Sequence, residues 1–252
     1  MIGQAKKKLI SSLSQKKYRD KNGLFVAEGP KLVNDLLEAG VQAEIIISTD
    51  NISLPETGRS VITEIIPPRE LQKISFLKTP QNILGVFRKP EAPFHPDQLT
   101  DKLSLALDGI QDPGNMGTII RLADWFGIST IVCSEDTVDC FNPKVVQASM
   151  GAIARVKVIY TDLPALFQQT SSDSGMEIFG TFMDGENIYA LDLPPSGIIV
   201  LGNEGSGIRP ETTKHITRKV AIPSFSAGGM ESLNVGIAAA IVCSEFRRTT
   251  SP

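Results

Sequence analysis

The sequence predicts an α/β protein: a C-terminal, mainly parallel sheet clothed by helices, preceded by a smaller α/β domain. Three observations predict it. Nearly continuous apolar runs at 103–107, 129–133 and 198–201 alternate with helix-type spacings, as strands buried on both faces do. Pro90, Pro93 and Pro96 put three prolines into seven residues, which removes backbone donors, disfavours helix and reads as a linker. Before that linker, strand and helix signals alternate over about 90 residues, enough for a separate small core. The expected division is 1–89, a linker at 90–102, and 103–249.

In the first part, residues 3–17 read as helix and Leu24-Phe25-Val26-Ala27 as a strand. Pro30 suits a first helical turn, Leu32, Val33, Leu36 and Leu37 share one face, and Gly40 stops that helix. Strands follow at 44–48, 60–66 and 83–87, with a short helix at 67–76. In the second part, the strand at 103–107 ends at Asp108-Gly109, and a helix opens near Pro113-Gly114-Asn115 and runs to Gly127. Asn142-Pro143 caps and starts a helix through Met150. Strands at 156–160, 178–183, 198–201 and 220–222 precede a last helix, for which Ser232 suits the N-cap.

Composition narrows the function classes. The chain has 252 residues, 41% hydrophobic and 21% charged, and no apolar run long enough to span a membrane, so a soluble protein is expected. The start carries Lys6, Lys7 and Lys8 without an apolar core, which argues against a secretory signal. Three cysteines without metal-type spacing read as reduced core thiols of a cytoplasmic protein. With two histidines, a zinc site or a histidine triad is poorly supported, and no metal is expected. Net charge is −3, yet residues 1–23 hold seven Lys/Arg against Asp20 alone. That stretch fits either a solvated helix face or a surface tracking a phosphate backbone.

Three motifs fall at carboxyl ends of predicted strands, where open parallel sheets bind ligands. They are Asn115-Met116-Gly117-Thr118-Ile119-Ile120-Arg121, Gly202-Asn203-Glu204-Gly205-Ser206-Gly207, and Ile222-Pro223 followed by Ser232-Leu233-Asn234-Val235. Asn115 lies near a helix start, where its amide can cap or contact substrate. Arg121 follows about 9 Å along the axis, with a side chain leaning back toward the N-terminus. The glycines of the second motif permit a tight loop with exposed amides, and their spacing is not the dinucleotide fingerprint. Glu204, inside that loop, is either solvated or held by a cation such as Arg121. Taken singly, each motif also fits an ordinary cap or surface loop.

Together, and in this order, the motifs resemble the SpoU/TrmH family of RNA ribose 2′-O-methyltransferases. The likeness covers nearly the whole chain. It implies an α/β catalytic domain of the SPOUT type with a deep trefoil knot in its C-terminal segment. Lys17-Tyr18-Arg19 and the stretch from Phe25 to Val33 resemble the family's L30e-like RNA-binding domain. The resemblance implies S-adenosylmethionine as cofactor, a homodimer, and structured RNA as substrate, with ribosomal RNA favoured over tRNA. Asn115, Arg121, Glu204, Ser232 and Asn234 match its catalytic set. Thr181, Leu201, Gly202, Gly207, Ile222 and Leu233 match cofactor-lining positions, and Lys16, Lys17, Arg19 and Lys31 the RNA-binding surface. The stretch 224–230 is longer than the family's common spacing between Ile-Pro and Ser-Leu-Asn.

In the family's scheme the motif arginine, here Arg121, deprotonates the ribose hydroxyl. The high basicity of guanidinium favours a second role, in which Arg121 binds phosphate and stabilises the developing alkoxide while Glu204 orients it. Rival readings are a tRNA ribose methyltransferase, a non-catalytic RNA-binding protein of the same fold, a nucleotide-dependent oxidoreductase, and a knotted enzyme that methylates a base.

Overall fold

The computed structural model describes residues 2–55, 61–91, 93–226 and 232–248. Ser60, Ala92 of the linker, and residues 227–231 within the long third-motif loop therefore lie outside the described residues. The chain forms two compact units, residues 1–91 with 139–155, and 92–138 with 156–252.

The first unit contains α1 (Gln4–Ser12), α2 (Lys16–Asn22), β1 (Leu24–Glu28), α3 (Pro30–Glu38), β2 (Ala43–Ser48), β3 (Thr63–Ile65), α4 (Pro68–Leu71) and β4 (Ile83–Arg88). Its sheet has the order β1-β4-β2-β3, antiparallel except for the β2–β3 pair. Ile10, Leu13, Val26, Ile47, Leu71, Leu84 and Val86 belong to its core. The helix expected over 3–17 is two helices. Ser12 and Ser14 donate to the carbonyls of Leu9 (2.6 Å) and Ser11 (2.9 Å), and the Arg19 guanidinium takes the carbonyls of Leu13 and Ser14 at 2.8 and 2.9 Å. These bonds draw the backbone out of the helical ladder at the break.

Residues 139–155, with α6 (Pro143–Ala148), also belong to this unit. Phe141 packs on Phe25, ring centroids 4.8 Å apart. Asn142 caps α6 as its position suggested, accepting from the Lys144 amide at 2.9 Å.

The second unit holds β5 (Leu103–Asp108), α5 (Pro113–Trp125), β6 (Thr130–Cys133), β7 (Lys157–Tyr160), α7 (Leu163–Ser174), β8 (Ile178–Asn187), β9 (Gly197–Gly202), α8 (Pro210–Thr213), β10 (Arg218–Ala221) and α9 (Val235–Arg247). Its six strands are all parallel in the order β10-β8-β9-β5-β6-β7. Every residue of β5 is buried, as an internal strand covered on both faces requires. The sequence pattern did not mark α7, whose last five residues, Thr170-Ser171-Ser172-Asp173-Ser174, have low helix propensity. Strand β8 runs four residues beyond the expected Met183, and its pairing with β10 slips from Gly180 opposite Lys219 to Glu186 opposite Val220.

The order of this sheet places the motifs. From β5 the chain moves outward through β6 to β7, then returns to the other side of β5 for β8 and β9. The strand order reverses between β5 and β9, where Asp108 pairs with Gly202 at the carboxyl ends. Such a reversal opens a crevice for ligand.

Candidate active site

The first two motifs leave neighbouring strand ends, and the third opens α9, which packs against α5. Asp112 caps α5, its carboxylate accepting from the Asn115 backbone amide at 2.8 Å. With the cap supplied there, the Asn115 side chain is left for other partners. Its Nδ2 donates to Glu204 Oε1 at 2.8 Å. Its Oδ1 accepts from Asn234 Nδ2 at 2.9 Å.

Both ends of this chain fix its direction. Asn234, and not Ser232 as its type suggested, is the N-cap of α9, with Oδ1 accepting from the amides of Gly236 (2.9 Å) and Ile237 (3.3 Å). That leaves Nδ2 as the only side-chain group Asn234 can offer to Asn115. Asn115 must then present Oδ1 to Asn234 and Nδ2 to the carboxylate acceptor of Glu204. Helix α9 approaches α5 closely at Gly236, where a Cβ would stand 3.2 Å from the Thr118 methyl carbon.

The second motif folds as a closed knuckle. Asn203 and Gly207 exchange backbone bonds at 3.0 and 2.9 Å, and Asn203 Oδ1 accepts from the amides of Gly205 (2.9 Å) and Ser206 (3.1 Å). Gly207 has φ +68°, and a Cβ on Gly202 would lie 2.3 Å from the Gly207 carbonyl carbon, so both positions need glycine. Glu204 projects exposed from the knuckle.

Arg121 is not part of the hydrogen-bonded trio. Six residues at about 100° each place it some 120° around α5 from Asn115. It is exposed and makes no hydrogen bond or ion pair among the described residues, and the Glu204 contact goes to Asn115 instead. Ser232 is exposed beside the cap without entering it.

Of the cofactor-lining candidates, Leu201, Gly202 and Ile222 sit at the carboxyl ends of β9 and β10, and Thr181 lies within β8 at the level where β9 ends. Thr181, half-buried on β8, donates to the Val200 carbonyl at 3.1 Å. Leu201 and Gly202 close β9, and Ile222 follows β10. Leu233, before the Asn234 cap, is 42% exposed. This set fits a sulfonium nucleoside: backbone groups at the ends of β9 and β10 can read a nucleoside edge, and the exposed Glu204 carboxylate complements a cation. Cysteine chemistry does not enter, since all three thiols are buried and burial pushes Cys243 up to about 12.

The basic N-terminal stretch is less available than its composition suggested. Arg19 is 2% exposed and ion-paired with the buried Asp139, Nη2 to Oδ2 2.6 Å, so it does not present charge to solvent. Lys6 pairs with Glu64, Lys7 with Glu70 at 3.3 Å, and Lys31 with Asp35 at 2.8 Å. Lys16 and Lys17 are exposed on α2. Pairs 58 or more residues apart carry no local signal in the sequence. Among the described residues there is no cluster able to hold a metal ion, and no helix long and apolar enough to cross a membrane.

Residues 102–244 match the SpoU rRNA Methylase family and residues 5–85 an MRM3-like substrate binding domain. The chain is 30% identical to the 23S rRNA (guanosine(2553)-2′-O)-methyltransferase RlmP of Bacillus subtilis, over 93% of each chain. It is 35% identical to the 23S rRNA (guanosine-2′-O-)-methyltransferase RlmB of Neisseria meningitidis, over 67% of this chain and 69% of that one. Among solved structures, a TrmH-family protein from Porphyromonas gingivalis superposes with TM-score 0.89 at 38% identity, covering 99% of this chain and all of that one. An AdoMet-bound rRNA methyltransferase from Sinorhizobium meliloti superposes with TM-score 0.86 at 28% identity, covering 100% of this chain and 97% of that one. The chain belongs to the SpoU rRNA methylase family, whose chemistry is S-adenosylmethionine-dependent methylation of an RNA ribose 2′-oxygen.

Proposed function

We propose that this protein methylates a ribose 2′-hydroxyl of large-subunit (23S-type) ribosomal RNA in the cytoplasm, as a homodimer. The observation that carries the site is the directional chain Asn234–Asn115–Glu204 across the β5/β9 crevice. The choice of RNA is supported by relatives whose names specify 23S rRNA and by the match of residues 5–85 to a substrate-binding domain.

The cofactor supplies an electrophilic methyl group on sulfur. The chain's task is to hold a ribose oxygen in line with it, the hydroxyl proton passing to solvent as the bond to methyl forms. Positioning converts the encounter of two bound reactants into an effectively unimolecular step. Asn115, locked from both sides, holds Glu204 at the crevice mouth. Arg121 is the cation for the developing alkoxide and the adjoining phosphate.

Homodimer formation accounts for Arg121 facing away from Glu204 within one chain. Helices α5 and α9 lie side by side, Arg247 Nε donating to the Phe126 carbonyl at 3.0 Å. Trp125 near the end of α5 (82%) and Ile237 near the start of α9 (55%) are large apolar side chains left exposed on the pair, of the kind that association surfaces cover. Arg121 shares a helical stripe with Trp125, so a partner on this face receives Arg121 at its own crevice. The trefoil knot belongs to the same proposal. It is supported by the placement of β10 beyond β8 while α9 packs on α5.

Mapping ribose methylation in total RNA from cells with and without the protein tests this reading. A single 2′-O-methyl mark lost from 23S-type rRNA is expected; a mark lost from tRNA alone would overturn the assignment.

A further inference from the structure

The knuckle that carries Glu204 is pinned at both ends to two consecutive residues that no motif contains. At its entrance, Asn203 Nδ2 donates to the Gly109 carbonyl at 2.7 Å. At its exit stands Arg209, whose backbone amide donates to Asp108 Oδ2 at 3.0 Å. The Arg209 guanidinium returns to the same carboxylate, Nε to Oδ1 at 2.6 Å with Nη2 alongside, and Nη2 also reaches Asp136 Oδ1 at 3.1 Å. Asp108 is wholly buried, while the Arg209 side chain is 36% exposed. Ser134, ahead of the charge of Arg209, holds the Asp136 carboxyl below its ordinary range, and Asp108 raises Arg209.

Burying a carboxylate at a strand end is costly unless it is paired. The sheet does not call for it: β5 and β9 are already in register through six residue pairs, from Leu103–Gly197 to Asp108–Gly202. What the Asp108–Arg209 pair adds lies beyond the strands, where it fixes the exit of the 203–207 knuckle. Gly109, which anchors the entrance, is itself held by the Ser134 hydroxyl, to which its amide donates at 2.9 Å. The height of Glu204 relative to Asn115 is therefore set from the end of β5.

We propose that Asp108 and Arg209 are positioning residues for methyl transfer, clamping the Glu204 knuckle in the geometry that binds the cofactor and meets Asn115. The proposal rests on the methyltransferase reading of this site. Neither residue touches the Asn115–Glu204–Asn234 trio, so both act through the loop.

The test uses the full chain and the variants Arg209→Ala and Arg209→Lys, because removing the buried Asp108 risks the fold itself. Three quantities are read: thermal melting, calorimetric affinity for S-adenosylhomocysteine, and kcat and KM for labelled methyl transfer to rRNA. For Arg209→Ala, cofactor affinity and kcat together fall about 100-fold and KM for RNA stays within about twofold, while melting also falls because buried Asp108 loses its counter-charge. Arg209→Lys, which keeps the charge and loses the two-pronged contact, recovers part of the loss. Cofactor affinity and kcat within about twofold of wild type in Arg209→Ala would overturn the clamp and leave the methyltransferase reading standing. A wild-type chain that neither binds the cofactor analogue nor transfers methyl would overturn that reading, and the clamp with it.

Discussion

The side-chain amide of Asn115 donates to Glu204 at 2.8 Å across 89 residues of sequence. The contact is set from behind by Asn234, whose own carbonyl is committed to capping α9. The proposed catalytic contact and the helix cap thus share one side chain, and substitution can separate the two.

Asn234→Asp keeps an oxygen for the Gly236 and Ile237 amides, and Asp caps a helix as well as Asn does. It replaces the donor facing Asn115 Oδ1 with a second oxygen. Asn115 must turn its NH2 toward the new carboxylate, which sets its Oδ1 against Glu204. Methyl transfer is expected to fall on the order of 100-fold with melting nearly unchanged. Asn234→Ala loses the cap as well, at about 1 kcal/mol of stability. Wild-type turnover in Asn234→Asp would show that the direction of this chain has no bearing on catalysis.

The Arg19–Asp139 pair predicts a stability effect without any catalytic role. Both side chains are buried, and Asp139 also accepts from the Phe141 amide at 3.0 Å. Asp139→Ala leaves a guanidinium buried without its counter-charge, which costs roughly 3–5 kcal/mol. Denaturant unfolding of the full chain measures it. A loss below about 1 kcal/mol, the range of exposed pairs, would mean that this pair does not hold residues 139–155 in the unit.

Glu28 gives a pH dependence. It is 4% exposed, and burial raises its pKa above the ordinary 4.5 despite bonds from the Ser75 hydroxyl (2.5 Å) and the Phe76 amide (2.7 Å). Below the ordinary value the folded and unfolded states both carry the proton, so the group costs nothing. As pH rises through the raised folded value, the unfolded chain ionises more readily and stability is lost. Glu28→Gln removes that loss, so its melting temperature gains on wild type as pH climbs from 4.5, then levels off. A difference that stays flat with pH would show that Glu28 does not titrate between the two states.

The parts legible in the sequence are those with local signatures. Apolar runs marked β5, β6 and β9, Pro-Gly-Asn marked the start of α5, and the three motifs were correctly placed at strand ends. The rest depends on what the chain meets after folding. Arg19 reads as one more basic residue in a basic stretch until Asp139, 120 residues away, folds against it. Ser232 and Asn234 are both competent caps, and the contact of Asn234 with Asn115 goes with its selection. Arg121 and Glu204 are natural partners by charge, but helical phase turns Arg121 to another flank of α5 and leaves the carboxylate to an amide. Arg209 lies outside every motif, and its pairing follows from the β5/β9 register that brings Asp108 beside Gly202.

Labelled methyl transfer from S-adenosylmethionine to rRNA purified from cells lacking this protein, followed by digestion to nucleosides, bears most directly on the central reading. Label is expected in one 2′-O-methylnucleoside and lost with Asn234→Asp. Label on a base, or no transfer by a chain shown to bind the cofactor, would contradict it.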